Sequence, residues 1–175
     1  MPFTSLGCIG RCVRIPDLLH VFWDDSPLPY LRLLTAASFR RLHPTTRIVR
    51  HRGDAPPMRW ATGEQSVPYT GPDYRDALDG LVAVTVDFAG GGRPANVQAD
   101  LCRADVLAEE GGVWSDMDIL WLQPIGTLPI ADVDVATVFE HGACGAMMAA
   151  PQTRYFAAVR EAARRLVDQG RYQSA

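Results

Sequence analysis

Asp116 and Asp118 stand one residue apart in the stretch VWSDMDIL, after an apolar, strand-like run. In an extended segment alternate side chains point the same way, so both carboxylates are expected on one face. Two negative charges on one edge repel each other unless a cation lies between them. Hard oxygen ligands suit Mg²⁺ or Mn²⁺, which take one or two carboxylates and fill their shells with phosphate oxygens and water. The pair therefore reads as a candidate metal–diphosphate site. An isolated Asp-x-Asp is more often a solvated loop, so its context has to decide. Asp100 and Arg103 lie just upstream, three apart on an expected helix, and share a face. An Arg there can grip phosphate or sugar oxygens through its planar fork. The plainer alternative is a surface ion pair worth about 0.3–0.5 kcal/mol.

The elements that must position these residues read as an alternation of strands and helices, hence an α/β layered domain. Ile15 to Trp23 is a short apolar run and an expected buried strand. Tyr30 to Leu42 has helical spacing, with Leu31, Leu34, Ser38 and Leu42 on one side and Arg32, Arg40 and Arg41 toward water. Thr46 to His51 alternates like a strand. Residues 53–80 are loop-like, with a short helix near Tyr74 to Leu78. Leu81 to Phe88 is a third strand. Pro94 opens a helix that runs to Glu110, with Val97, Leu101, Ala104 and Ala108 inward. Gly111 and Gly112 end it. Val113 to Leu122 holds a strand and the acidic pair; Val133–Phe139 and Ala143–Ala149 are two more strands. Gln152 to Gln169 is an amphipathic helix with Phe156, Val159, Ala163 and Leu166 inward. Residues 1–14 read as a poorly ordered leader and 15–175 as one domain.

Composition narrows the chemistry. The chain has 175 residues, 47% hydrophobic and 21% charged, with a net charge of −3. Such a chain can bury a sizeable core and lacks the basic surface that broad nucleic-acid binding needs. All 17 basic residues are Arg, so a lysine Schiff base or a Walker-type lysine is excluded. Cys8, Cys12, Cys102 and Cys144 are too sparse for a disulfide framework and read as reduced thiols. No run of 18 apolar residues encodes a transmembrane span, and the start lacks a secretion signal, so a cytoplasmic location is the expectation, with peripheral membrane association as the alternative.

The blocks IPDLLHVFW and ADLCRADVLAEEGGVWSDMDILWLQPI together resemble the DXD-containing sugar transferases. That family includes the yeast-type initiating mannosyltransferases and, more distantly, the catalytic domains of large glycosylating clostridial toxins. Its pattern is an IPKxIHxxW strand followed by SDxxRYxxLxxxGGxYxDxD. The likeness runs from about Ile15 to Arg160. It implies a GT-A type, Rossmann-like nucleotide-sugar-binding domain. The implied activity is a hexosyltransferase-type glycosyltransferase of polysaccharide or glycoconjugate synthesis, retaining anomeric configuration. The donor would be a UDP- or GDP-sugar, the acceptor a hydroxyl on a glycan, lipid or protein, and the cofactor Mn²⁺ or Mg²⁺. By resemblance, Asp118 is the direct metal ligand. Asp116 contacts the ribose and reaches the metal directly or through water. Asp100 and Arg103 hold the donor sugar and its phosphate. Trp23 stacks on the base, where the residue alone would read as core, and Trp114 stands beside the donor in place of a usual Tyr. Asp116, Asp118 and Arg103 form the catalytic set.

Other residues have plainer expectations. His20 is an interior structural histidine. Asp24 and Asp25 form a solvated turn, Glu109 and Glu110 a solvated helix end. Cys102, Met117, Met147 and Met148 are packing residues. A haloacid dehalogenase-like phosphatase also carries Asp-x-Asp, but its motif comes early and is followed by a Gly-Thr-like turn, which DMDIL lacks. Relatives continue past the helix matching Gln152–Gln169, so the resemblance implies a C-terminally truncated domain. A catalytically incomplete nucleotide-sugar-binding remnant is the alternative function.

Overall fold

The computed structural model describes residues 15–54, 69–128, 130, 133–140 and 143–171. The expected leader, Cys8 and Cys12, and residues 55–68 of the expected loop lie outside the described residues. Six strands form one sheet: β1 (Leu18–Phe22), β2 (Arg47–Gly53), β3 (Val84–Phe88), β4 (Gly112–Ser115), β5 (Val135–Glu140) and β6 (Ala143–Ala149). The helices are α1 (Tyr30–Leu42), α2 (Arg75–Asp79), α3 (Ala95–Glu109) and α4 (Arg154–Asp168), with a 3₁₀ turn at Ile125–Thr127. The strand order is β3-β2-β1-β4-β6-β5. The first four run parallel; β6 is antiparallel to both β4 and β5.

The order reverses at β1, whose neighbours are β2 on one side and β4 on the other. In open α/β sheets such a reversal leaves a crevice outside the carboxyl ends of the two strands, and ligands bind there. Trp23 and Asp24 follow β1, and Asp116 follows β4, so all three lie at that crevice.

Strand periodicity divides the core. Leu19, Val21 and Trp23 of β1 and its end, with Val113 and Met148, pack under α1 residues Leu33, Ala36 and Phe39. Phe22, Trp114, Met147 and Ala149 pack on the opposite face with Cys102, Val106 and Leu107 of α3 and Phe156 of α4. The packing expectations for Cys102, Met117, Met147 and Met148 hold. Thr153 caps α4 by accepting from the Phe156 amide at 3.4 Å. Arg160–Glu109 and Arg164–Asp105, both at 2.8 Å, fasten α4 along α3.

Helix positions match the sequence reading better than helix faces do. The buried residues of α1 are Leu33, Thr35, Ala36 and Phe39, while Leu31 is 74% exposed. Alpha1 is covered on two sides: by the sheet, and by the segment after β4, where Trp121 packs edge-on against Phe39. A single stripe drawn from leucines misses that. In α4, Leu166 is exposed rather than inward. Strand β2 does not alternate, because it is a central strand buried on both faces from Ile48 to His51.

Gly111 lies between α3 and β4 and Gly112 opens β4, with φ of 67° and 99°. Both lie in the left-handed region that glycine enters without a Cβ penalty. A Cβ on Gly112 would stand 2.7 Å from the Leu18 carbonyl oxygen. This turn can therefore bring β4 tight against β1 only with glycine.

Candidate functional site

Trp114 ends up on the α3 side of β4 and is 1% exposed. Its indole N–H donates to Oδ1 of Asp116 at 2.8 Å. Arg103, from the middle of α3, donates to Oδ1 of Asp100 at 2.5 Å and lies 3.7 Å from Oδ1 of Asp116. Helix α3 and strand β4 thus bring Asp100, Arg103 and Asp116 together, as the sequence pattern implied. The backbone supports the same point, since the Asp116 amide donates to the Gly145 carbonyl of β6 at 2.7 Å.

Burial raises the Asp116 carboxyl to about 6. The Arg103 charge and the Trp114 bond pull it down, while Asp118 and Asp100 push it up. Its side chain nevertheless keeps 40% of its surface open. Geometry reconciles the two: Oδ1 is turned inward to Trp114 and Arg103, whereas Oδ2 lies 3.7 Å from the place a Cβ on Gly145 would take. The Ile119 side chain fills the space beyond Gly145, with Cδ1 2.8 Å from the same place.

Asp118 is placed differently from the expectation. Strand β4 stops at Ser115 and the chain turns at Met117–Asp118, so the two-residue periodicity of an extended segment no longer applies. Asp116 points to the α3 side. Asp118 is 60% exposed on the α1 side, with Oδ2 3.0 Å from the Arg32 guanidinium. Arg32 thus has a carboxylate partner as well as solvent. The two carboxylates still lie close enough for the charge on Asp118 to raise the Asp116 pKa.

The oxygen donors at this strand end are of the kind a divalent cation takes. Two carboxylates follow the end of one strand, Asp116 turned to the α3 side beside Arg103 and Asp118 exposed on the α1 side. Among the described residues no group of three or more His, Cys, Asp or Glu side chains could hold a metal ion. A cation here would draw on these two aspartates and take its remaining ligands from phosphate and water.

Trp23 is 4% exposed and packs within the first core, its indole donating to the Ser26 carbonyl at 2.9 Å. This placement matches the core alternative for that residue. Trp114 is likewise enclosed, and its contact with the cluster is the indole hydrogen bond to Asp116. Asp24 departs from its expectation of a solvated turn: it is fully buried, and Oδ1 accepts from the Ser26 amide and hydroxyl. Its Oδ2 has no hydrogen-bond partner. Asp25 is exposed, as expected.

His20 is fully buried and structural, as its sequence position implied. Its Nε2 lies 3.0 Å from the Gly111 carbonyl and its Nδ1 2.9 Å from Nε2 of His51. A carbonyl only accepts, so the neutral His20 carries its proton on Nε2 and receives the His51 Nε2–H at Nδ1. Burial lowers both pKa values, that of His51 to about 4, with the neighbouring His20 adding to the fall. This relay runs from β2 through β1 to the turn that launches β4. Sequence reasoning missed His51, and the signal was non-local: only the pairing of β1 with β2 brings the two rings together.

Gln98 of α3 was also unforeseen. It is buried, accepts from the Asp54 amide at 3.1 Å and donates to the Arg93 carbonyl at 2.6 Å. It ties the end of β2 to the connection before α3. Two open grooves lie elsewhere, of 510 Å³ along α3 and α4 and of 360 Å³ beside β2 and β3. Neither is lined by Asp116 or Asp118. The second is largely neutralised by Arg50–Asp79 at 2.8 Å and Arg52–Asp87 at 2.7 Å.

The sheet order defines a Rossmann-like α/β domain, with the acidic cluster at the strand ends where the order reverses. The solved structure described as "PaToxG Glycosyltransferase" shares this fold, with a TM-score of 0.64 at 12% identity. The match covers 91% of this chain and 63% of that one, so this chain spans less than two thirds of the neighbour's length. At that identity the likeness is one of fold. No protein-family profile and no curated protein matches the sequence. Among the described residues no helix is long and apolar enough to cross a membrane.

Proposed function

We propose that this protein is a metal-dependent glycosyltransferase that moves a sugar from a UDP- or GDP-sugar to an acceptor hydroxyl on a glycan, lipid or protein. The observation that carries this reading is the Asp100–Arg103–Asp116 cluster at the reversal of a sheet whose fold a glycosyltransferase shares. Retention of configuration, a GT-A type active site and a cytoplasmic location complete the proposal. The first two rest on the sequence resemblance, and the buried free thiol of Cys102 is compatible with the third.

In this reading Asp118 and Asp116 hold Mn²⁺ or Mg²⁺. Bound there, the cation would neutralise negative charge developing on the departing diphosphate. Arg103 adds a second positive contact to that leaving group or to the sugar, and its fork is held in place by Asp100. Trp114 keeps Asp116 Oδ1 turned inward, which leaves Oδ2 for the ligand side. Trp23 marks the base end of the crevice. Its burial means that stacking on a base would require the β1–α1 connection to open.

Calorimetry with UDP- and GDP-sugars, in Mn²⁺ and in EDTA, tests the reading. Donor binding is expected to need the metal and to be lost in Asp118→Ala. Equal binding in EDTA would sink it. Donor hydrolysis in Mn²⁺ separates an enzyme from the alternative, a nucleotide-sugar-binding remnant, which binds without turnover.

A further inference from the structure

Arg32 and Asp118 make an ion pair whose two members have unequal settings. Asp118 is open to solvent, whereas the Arg32 side chain is 25% exposed. Arg32 lies in the first turn of α1, where the helix dipole disfavours a cation, and that turn contains no acidic residue. Asp118 supplies the counter-charge from another part of the chain. It is also the carboxylate best exposed to receive a divalent cation.

We propose that Arg32 is a counter-ion latch on Asp118: it occupies the carboxylate in the metal-free protein, competes with the cation for it, and passes to the donor diphosphate when cation and donor arrive together. The proposal rests on the metal-dependent reading above. The competition follows from charge. A guanidinium and a divalent cation on one carboxylate stand within a few ångströms of each other and repel. Once displaced, Arg32 needs another anion, and a diphosphate matches its planar fork. Cation and nucleotide should then strengthen each other's binding reciprocally.

The test titrates the protein with Mn²⁺ alone, then with UDP or GDP present, reading free Mn²⁺ by electron paramagnetic resonance. Arg32→Gln is expected to bind Mn²⁺ alone about two- to fivefold more tightly than wild type, the equivalent of one exposed ion pair. The further gain from nucleotide should shrink. In an Asp118→Asn background, Arg32→Gln should change Mn²⁺ binding no further. Arg32→Lys, which keeps the charge without the fork, should stay near wild type for Mn²⁺ alone. Equal or weaker Mn²⁺ binding in Arg32→Gln overturns the latch and leaves the metal-dependent reading standing. Tightening that persists in the Asp118→Asn background also overturns it, since a general charge effect would then suffice. Absence of Mn²⁺ binding in every variant and in wild type, with and without nucleotide, overturns both.

Discussion

Trp114 and Asp116 lie two residues apart, and the buried indole of the first donates a 2.8 Å hydrogen bond to the carboxylate of the second. The bond favours the charged form of a carboxylate whose surroundings oppose charge. A core tryptophan thereby tunes the site without facing it. A tyrosine in its place would donate from a different point, at the end of its ring.

Trp114→Phe keeps much of the packing and removes the donor. The Asp116 pKa, already about 6, should rise further. Mn²⁺ or donor binding should fall by about three- to fivefold at pH 6 and recover by about pH 8. Binding isotherms across pH check this; an equal loss at every pH would mean that packing alone was lost.

Asp116 is an unfavourable charge for folding. Its folded pKa of about 6 lies above the ordinary 3.8, so the native state takes up its proton before the unfolded chain does. Stability from this group therefore rises as pH falls from about 6 to 3.8, and the destabilisation is fully present above 6. Asp116→Asn should melt higher than wild type at pH 7.5, converge with it near pH 4, and lose donor binding. Thermal melts at the two pH values check it.

The His51–His20 relay acts in the opposite direction. Both folded pKa values lie below 6.5, that of His51 at about 4, so the unfolded chain binds the protons first. Stability contributed by neutral histidines is present above about pH 6.5 and is lost as pH falls toward 4. Urea unfolding should show this loss most clearly in the Asp116→Asn background, where the opposing carboxylate is gone. His51→Gln, whose amide can still donate to His20, should remove part of the acid loss. An unchanged pH profile would remove the relay from the account.

Gly112→Ala should cost about 3 kcal/mol or more, because it combines positive φ with a collision against the Leu18 carbonyl. The urea midpoint should drop well below that of Gly126→Ala, where a Cβ meets nothing within 4 Å.

Local signals in the sequence carried far. The reading of Tyr30–Leu42 as a helix agrees with α1 to the residue, and Pro94 with the glycine pair bounded α3 to within one residue. Asp100, Arg103 and Asp116 were legible because two of them share a helix face and the third ends the next strand. Asp118 was misplaced because a turn, not a strand, follows Ser115. Arg32 was read as solvated because nothing local links α1 to a residue more than 80 positions later. His51 and the buried Asp24 depend on sheet pairing and on burial, which spacing within one segment does not encode.

Strand β6 runs against its neighbour β4, so its beginning, not its end, lies beside Asp116. The paired ends Glu140 of β5 and Ala143 of β6 therefore stand at the same edge of the sheet as the acidic cluster. The antiparallel pair thus brings a second, sequence-distant strand boundary to the edge where the parallel strands end.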